Sequence, residues 1–378
     1  MNVSRKLIVT FFILIGSLSA THAQENVLCE AAIDQQFLYE VSAAPHWIFR
    51  TTDLLSSFRR YGNQEVALLR KLKSNLEDQG ANLAMVVVPM RGAFVGEETA
   101  AFLEENNEYQ NVITASEVYR SNVAKINASG IPTPDVLETH KNSQVPGDQF
   151  FYPRDHHWQP IAAELVARQL AELLERAGVQ ADTLKAHELV PSGGSFSFRP
   201  HIQQRIAELC GGQVETIEVP TFDAEPTEKA DGDLSAALFG ADTARSIAAV
   251  GTSTTGLRAL NWPQHLSVAL SSEAISYAIN GANHFSILPY LQTHWRETDP
   301  WLVVWETSSS FPNEAVLRQA IGLTHGKCDR YFLQLKGETE INQEAWTELD
   351  FTISIQDLVV LSFPATGVSS FRARVSYE

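Results

Sequence analysis

The chain has 378 residues, with 45 acidic against 28 basic side chains and a formal net charge of −17 at pH 7. That balance excludes general nucleic-acid binding, which needs a basic face, so an anionic partner requires a local cluster of cations. The length allows one large hydrophobic core and a small additional module.

Residues 1–23 read as a signal peptide. Arg5 and Lys6 precede the mostly apolar run Leu7–Ala20, which is short for a bilayer span, and Thr21-His22-Ala23 offers small residues for cleavage. An uncleaved anchor is the alternative; Val27-Leu28 ahead of Cys29 does not suit lipoprotein processing. The mature chain is expected to begin near Gln24 and to lie in the periplasm. Its cysteines are Cys29, Cys210 and Cys328. An oxidising compartment permits one bridge and leaves one cysteine over, and the residues alone do not choose the pair.

The segment 45–61, with Trp47 and Phe49 alternating against His46 and Ile48, predicts a short strand or turn near the domain rim. Helical periodicity over Asn63–Gly80 leads into the apolar run Ala84–Pro89, the pattern of a strand buried on both faces of a parallel sheet. Arg91-Gly92 follow at its carboxyl end, where α/β folds place their sites. Ala115–Asn127 predicts a helix, 130–135 a Pro-rich turn, and Val136 the start of a strand. Residues 191–197 are Gly/Ser-rich, and 211–233 are acidic and turn-rich, which predicts a surface loop there; neither reads as a domain linker, because strand-type sequence resumes at once. Ser246–Val250 and Trp301–Glu306 are further buried-strand runs, Ile275–Ile279 alternates, and helices are expected over Leu257–Ala269 and Ile287–His294. The repeated strand–loop–helix order implies an α/β, doubly wound, mostly parallel sheet. From about Cys328 the chain alternates at period two with no helix between the runs, which predicts a small C-terminal antiparallel β module.

Two stretches carry chemistry. In 150–173, Asp155, His156, His157 and Trp158 precede a helix that opens with Pro160 and repeats apolar residues near a 3.6 period. Asp-x-His in such a loop suits a carboxylate that orients a general base. A metal site with Asp155 as third ligand, or a packing role for paired histidines, are the competing readings. Further on, Val250 runs into Gly251-Thr252-Ser253 ahead of a helix. A tight Gly turn holding a serine at a helix N-terminus is a nucleophile geometry, although alone it also fits an ordinary capping turn.

Together, Asp155-His156-His157-Trp158, Gly251-Thr252-Ser253, Trp47-Ile48-Phe49-Arg50 and Val304-Trp305-Glu306 resemble the permuted SGNH-hydrolase domain of bacterial polysaccharide O-acetyltransferases of the AlgX and AlgJ type, over roughly residues 28–312. The chain is thus expected to divide into a signal peptide over 1–23, a catalytic domain over 24–315 and a small β module over 316–378; the resemblance makes the second SGNH-like and the third a reduced form of the family's carbohydrate-binding domain. It implies Ser253 as nucleophile, His157 as base and Asp155 as its orienting acid, with Gly281 and Asn280 as oxyanion donors. The family's usual oxyanion Asn is missing, since Glu306 or Thr307 ends the corresponding strand; Asn283 is a further candidate. The resemblance also pairs Cys29 with Cys210. The implied activity is periplasmic transfer of acetyl groups to an exported polysaccharide, alginate or similar, without metal or other cofactor. The implied partners are the polymer, a membrane-bound acetyl donor and a secretion complex. Arg91, Arg154, Arg258 and Trp158 are the candidate polymer contacts. An acetyl esterase on the same triad and a non-catalytic scaffold of the secretion complex are the rival functions.

Overall fold

The computed structural model describes Cys29 and residues 31–32, 37–41, 47–54, 59–94, 101, 104, 109–181, 184–227, 245–308 and 310–324. The expected signal peptide over 1–23, the β module over 316–378 beyond Thr324, and Cys328 lie outside the described residues.

A four-stranded parallel sheet forms the centre, in the order β3 (Asn82–Val88), β8 (Leu302–Ser308), β6 (Ile247–Val250), β7 (Ala274–Ser276). Every side chain of Leu83–Val88 and Leu302–Thr307 is buried, so both faces of these strands are covered, which is why they read as unbroken apolar runs. Helix α1 (Asn63–Glu77) packs with the helix over Glu314–Thr324, and α4 (Pro160–Arg176) packs with α7 (Trp262–Leu270). Between α1 and α4 lie α2 (Tyr109–Ala128) and α3 (Val136–Ser143); α5 (His201–Cys210) and the short α6 (Ser253–Gly256) precede α7. This is the expected α/β fold with a parallel sheet.

Two small antiparallel sheets flank it. One pairs β1 (Phe37–Val41) with β2 (Trp47–Arg50). The expected rim position of β2 is corrected: Trp47 and Phe49 join the main core, and Ile48 packs with Ala32, Ile202 and Ile206. The other is a ribbon of β4 (His187–Phe198) and β5 (Ile217–Pro226), the second lying where a surface loop was expected. Its alternation is interrupted by the register shift between Pro191 and Ser195 and weakened by solvent on most of its side chains.

Other departures have local causes. The expected strand at Val136 is helix α3, because the Asp135 side chain accepts the Glu138 N–H at 3.1 Å and caps it. The expected helix 257–269 is split at Asn261, which is left-handed (φ 51°) and uses its side chain to accept from Phe222 N–H at 3.2 Å. The 275–279 strand is shorter than its alternation suggests, yet Ile279 N–H still donates to Gly251 O at 2.9 Å, which holds the segment against the end of β6.

Cys29 and Cys210 are bonded, tying the N-terminal segment to the end of α5. Replacing either cysteine by serine is expected to lower the unfolding free energy by about 2–5 kcal/mol, because the bridge closes a long loop in the unfolded chain. Urea titration with and without reductant checks this, and non-reducing peptide mapping should recover the 29–210 linkage.

Candidate active site

The site assembles where β6 ends. Thr252 caps α6 by accepting Thr254 N–H on its hydroxyl at 3.1 Å, which puts Ser253 in the first position of the turn. Thr252, Thr254, Thr255 and Gly256 all donate their amides within the protein. The Ser253 N–H has no acceptor among the described residues, so a donor stands free beside the serine hydroxyl. Gly251 is not left-handed. It is glycine for lack of room: a Cβ there would stand 2.1 Å from Thr255 Oγ1. This corrects the expectation that the glycine serves to sharpen the turn.

The Asp155–Trp158 loop is held from several sides. Phe151 bridges Trp158, Tyr152 N–H donates to His157 O at 3.2 Å, and Gln159 N–H donates to Phe150 O at 2.8 Å. Ile48 N–H donates to Pro153 O, and Gln203 N–H to Arg154 O. A loop so braced can hold a side chain as firmly as a strand does.

The bracing brings three side chains into line. His157 Nε2 lies 2.9 Å from Ser253 Oγ, 96 residues away in sequence. His157 Nδ1 lies 2.5 Å from Asp155 Oδ1, which also accepts the His157 amide at 2.9 Å. Asp155 Oδ2 accepts the His201 N–H at the start of α5. Asp155 is fully buried. Burial alone would raise its pKa, but the hydrogen bond and charge of His157, with His156 and the His201 amide, outweigh it and hold the carboxyl far below the usual range. It therefore stays ionised, fixes Nδ1 as the protonated nitrogen and leaves Nε2 to accept from Ser253.

His156 has another environment. Its ring lies 3.9 Å from that of His157 and edge-on to His201. Burial, then the neighbouring His157, lowers its pKa to about 3, so it is neutral at pH 7. Donor atoms of Asp155, His156 and His157 come within 4.8 Å of one another. A cation that took Asp155 Oδ1 and His157 Nδ1 as ligands would have to separate their hydrogen bond.

Residues 41–309 match a family described as "SGNH hydrolase-like domain, acetyltransferase AlgX". The chain belongs to this AlgX-type family. Over 315 residues it is 27% identical to the alginate biosynthesis protein AlgX of Pseudomonas aeruginosa, covering 81% of this chain and 64% of that protein, so it spans just under two thirds of that relative's length. Over 292 residues it is 27% identical to a probable alginate O-acetylase AlgJ of Pseudomonas syringae pv. tomato, covering 73% and 71%. The solved structure of Pseudomonas aeruginosa AlgX superposes with a TM-score of 0.64 at 26% identity, covering 80% of this chain and 73% of that one. The O-acetyltransferase domain of Pseudomonas putida AlgJ, at 20% identity, shares the fold with a TM-score of 0.50, covering 72% and 96%.

Within this AlgX-type domain two expected polymer contacts are corrected. Trp158 is fully buried, with its ring 5.2 Å from that of Trp262. Arg91 is 2% exposed. Its guanidinium donates to Ile48 O at 3.1 Å and Pro153 O at 2.6 Å, reaches Asp53 at 3.3 Å, and lies against the rings of Trp47 and Phe49. Burial lowers its pKa to about 10, so it remains charged at pH 7. It is a clamp between β2 and the Asp155 loop, out of reach of a polymer. Arg91→Met is expected to destabilise the protein by about 3 kcal/mol or more, since it strands buried carbonyls and strips a partner from Asp53. Thermal or urea unfolding checks this, and KM for a polymeric substrate should not follow the change.

Arg154 is half-buried in the braced loop; Arg258 is exposed, 3.9 Å from an equally exposed Asp223. Asn280 and Gly281 are exposed, and Gly281 has φ 76°, a conformation that suits glycine. The Gly281 N–H, like that of Ser253, has no acceptor among the described residues. The His201 amide and Asp53 went unread in the sequence as parts of the site, and Glu306 was read only as the residue standing where the family's oxyanion Asn is usual. Only Glu306 carried a local signal, as a lone acid closing an apolar run.

Proposed function

We propose that the protein is an O-acetyltransferase that acetylates an exported polysaccharide of the alginate type through an acetyl-serine intermediate. The observation that carries the reading is the continuous line from Asp155 through His157 to Ser253 Oγ, with the free Ser253 N–H beside the hydroxyl. His157 Nε2 takes the Ser253 proton as Oγ attacks the carbonyl carbon of an acetyl donor, and the oxyanion forms within reach of the Ser253 N–H and the Gly281 N–H. His157 returns the proton to the leaving alcohol. A sugar hydroxyl then gives its proton to the same nitrogen and takes the acetyl group, and Ser253 is restored. Asp155 steadies the imidazolium in both halves.

The family match and the alginate names of the relatives support this substrate class. Periplasmic location rests on the signal-like residues 1–23 and on the 29–210 disulfide, which suits an oxidising compartment. Acetyl-CoA does not serve that compartment, so the donor would be passed on by a membrane-bound partner of the secretion machinery. Since the chain is strongly acidic, a polyuronate needs local cations, and Arg154 and Arg258 are the remaining candidates. The test is incubation of purified protein with an acetyl ester and uronic-acid oligosaccharides, read by mass. Oligosaccharides heavier by one acetyl support transfer; free acetate alone, with every oligosaccharide unchanged, would make the protein an esterase.

A further inference from the structure

The catalytic steps above make no use of a buried acid that stands beside the nucleophile turn. Near the end of strand β8 stands Glu306, which has no exposed surface. Its carboxyl group lies against the nucleophile turn. Oε2 accepts the Thr252 amide at 2.7 Å, the Thr252 hydroxyl at 3.0 Å and the Thr255 hydroxyl at 3.0 Å. Oε1 accepts the Ser308 hydroxyl at 2.9 Å, and Ser308 Oγ is in turn 3.0 Å from Thr254 Oγ1. Because Thr252 Oγ1 accepts from Thr254 N–H, its own proton is free to point at the carboxyl group. Four donors thus converge on one buried acid, the set that a carboxyl group needs to keep its lone pairs satisfied away from water.

The neighbouring glycine supports the same conclusion. A Cβ on Gly251 would lie 2.5 Å from Glu306 Oε2 as well as colliding with Thr255. With its backbone outside the left-handed region, Gly251 is glycine because Thr255 and the carboxyl group that Thr255 bonds both come so close. Both residues ahead of the serine therefore serve Glu306: Gly251 by making room, Thr252 by donating from amide and hydroxyl together.

We propose that Glu306 is a positioning residue for acyl transfer, fixing Thr252 at two atoms and so setting the turn that aims Ser253 Oγ at His157 and leaves the Ser253 N–H free for the oxyanion. The proposal rests on Ser253 being the nucleophile. A displacement of the nucleophile on the scale of 1 Å costs up to about 10²-fold in rate. Glu306→Ala is therefore expected to lower kcat on 4-nitrophenyl acetate roughly 30-fold or more, with KM changed by less than about threefold. Glu306→Gln keeps one oxygen for the Thr252 amide while its NH2 faces Ser308, and should recover to within about fivefold of the parent. Thr255→Val, which removes one donor at constant shape, should lower kcat about threefold.

All rates are counted per Ser253 labelled to completion by phenylmethanesulfonyl fluoride and detected by mass. A merely structural acid would reduce the number of labelled sites and leave kcat per site unchanged. Per-site kcat within about twofold of the parent in both Glu306→Ala and Thr255→Val overturns the proposal. If Glu306→Ala does not fold, Thr255→Val and Glu306→Gln decide on the same count: a lowered per-site kcat in Thr255→Val supports the proposal, and parent-like values in both overturn it. Ser253→Ala is assayed beside them. Turnover surviving there defeats the acyl-enzyme reading itself, whereas an inert Ser253→Ala with parent-like Glu306 and Thr255 variants defeats this proposal alone.

Discussion

Ser253→Ala is expected to abolish acetyl-ester turnover, by about 10⁵-fold or more in kcat, while the protein stays folded. The Oγ hydroxyl is the group at this position that would form the acyl-enzyme. The structural cost is small. Ser253 is half-buried, its side chain makes one hydrogen bond among the described residues, to His157, and losing that bond costs about 1 kcal/mol. Steady-state rates beside a thermal melt check the two halves of the prediction. Full activity in a folded Ser253→Ala protein would end the acyl-enzyme mechanism.

The second large effect is an ordering across the three side chains of the loop. His157→Ala should lose nearly as much as Ser253→Ala, since members of one catalytic unit do not add. Asp155→Asn should cost about 10⁴-fold. Its buried oxygens accept three N–H groups, and an amide nitrogen in place of either oxygen would face a donor, so this variant should also melt earlier. His156→Ala removes the ring packed at a tilt against His157 but no hydrogen-bonded partner of Ser253 or Asp155, and should stay within about tenfold. A chelator should change none of the four. Equal losses at His156 and His157 together with inhibition by chelator would instead identify a metal site.

Much of this arrangement was legible in the residues because the relevant signals are local. An unbroken apolar run such as Leu83–Val88 or Leu302–Trp305 marks a strand covered on both faces whatever covers it. Asp-x-His and Gly-Thr-Ser state, within a few residues, which side chains share a loop or a turn. Their pairing across 96 residues followed from resemblance, and the 29–210 disulfide did as well; neither follows from spacing. The ribbon of β4 and β5 escaped because an exposed strand interrupted by Pro191, Gly193 and Gly194 has the composition of a loop, and its pairing partner lies beyond α5.

By itself, then, the amino-acid order determined the α/β class, the strands of the central sheet and the two short motifs that carry Asp155, His157 and Ser253, since periodicity and short motifs depend on neighbours along the chain. The tertiary structure alone decided what each polar or aromatic side chain faces. Arg91 in sequence is a cation at the end of a strand; in the fold it is enclosed by Trp47 and Phe49 and spends its donors on Ile48 and Pro153 carbonyls. Trp158 is enclosed against Trp262, and Glu306 turns away from solvent to gather the Thr252, Thr255 and Ser308 donors. Whether a charge meets water, a polymer or a buried amide depends on contacts between segments far apart in sequence, and no pattern along the chain encodes the direction in which a side chain will find its partners.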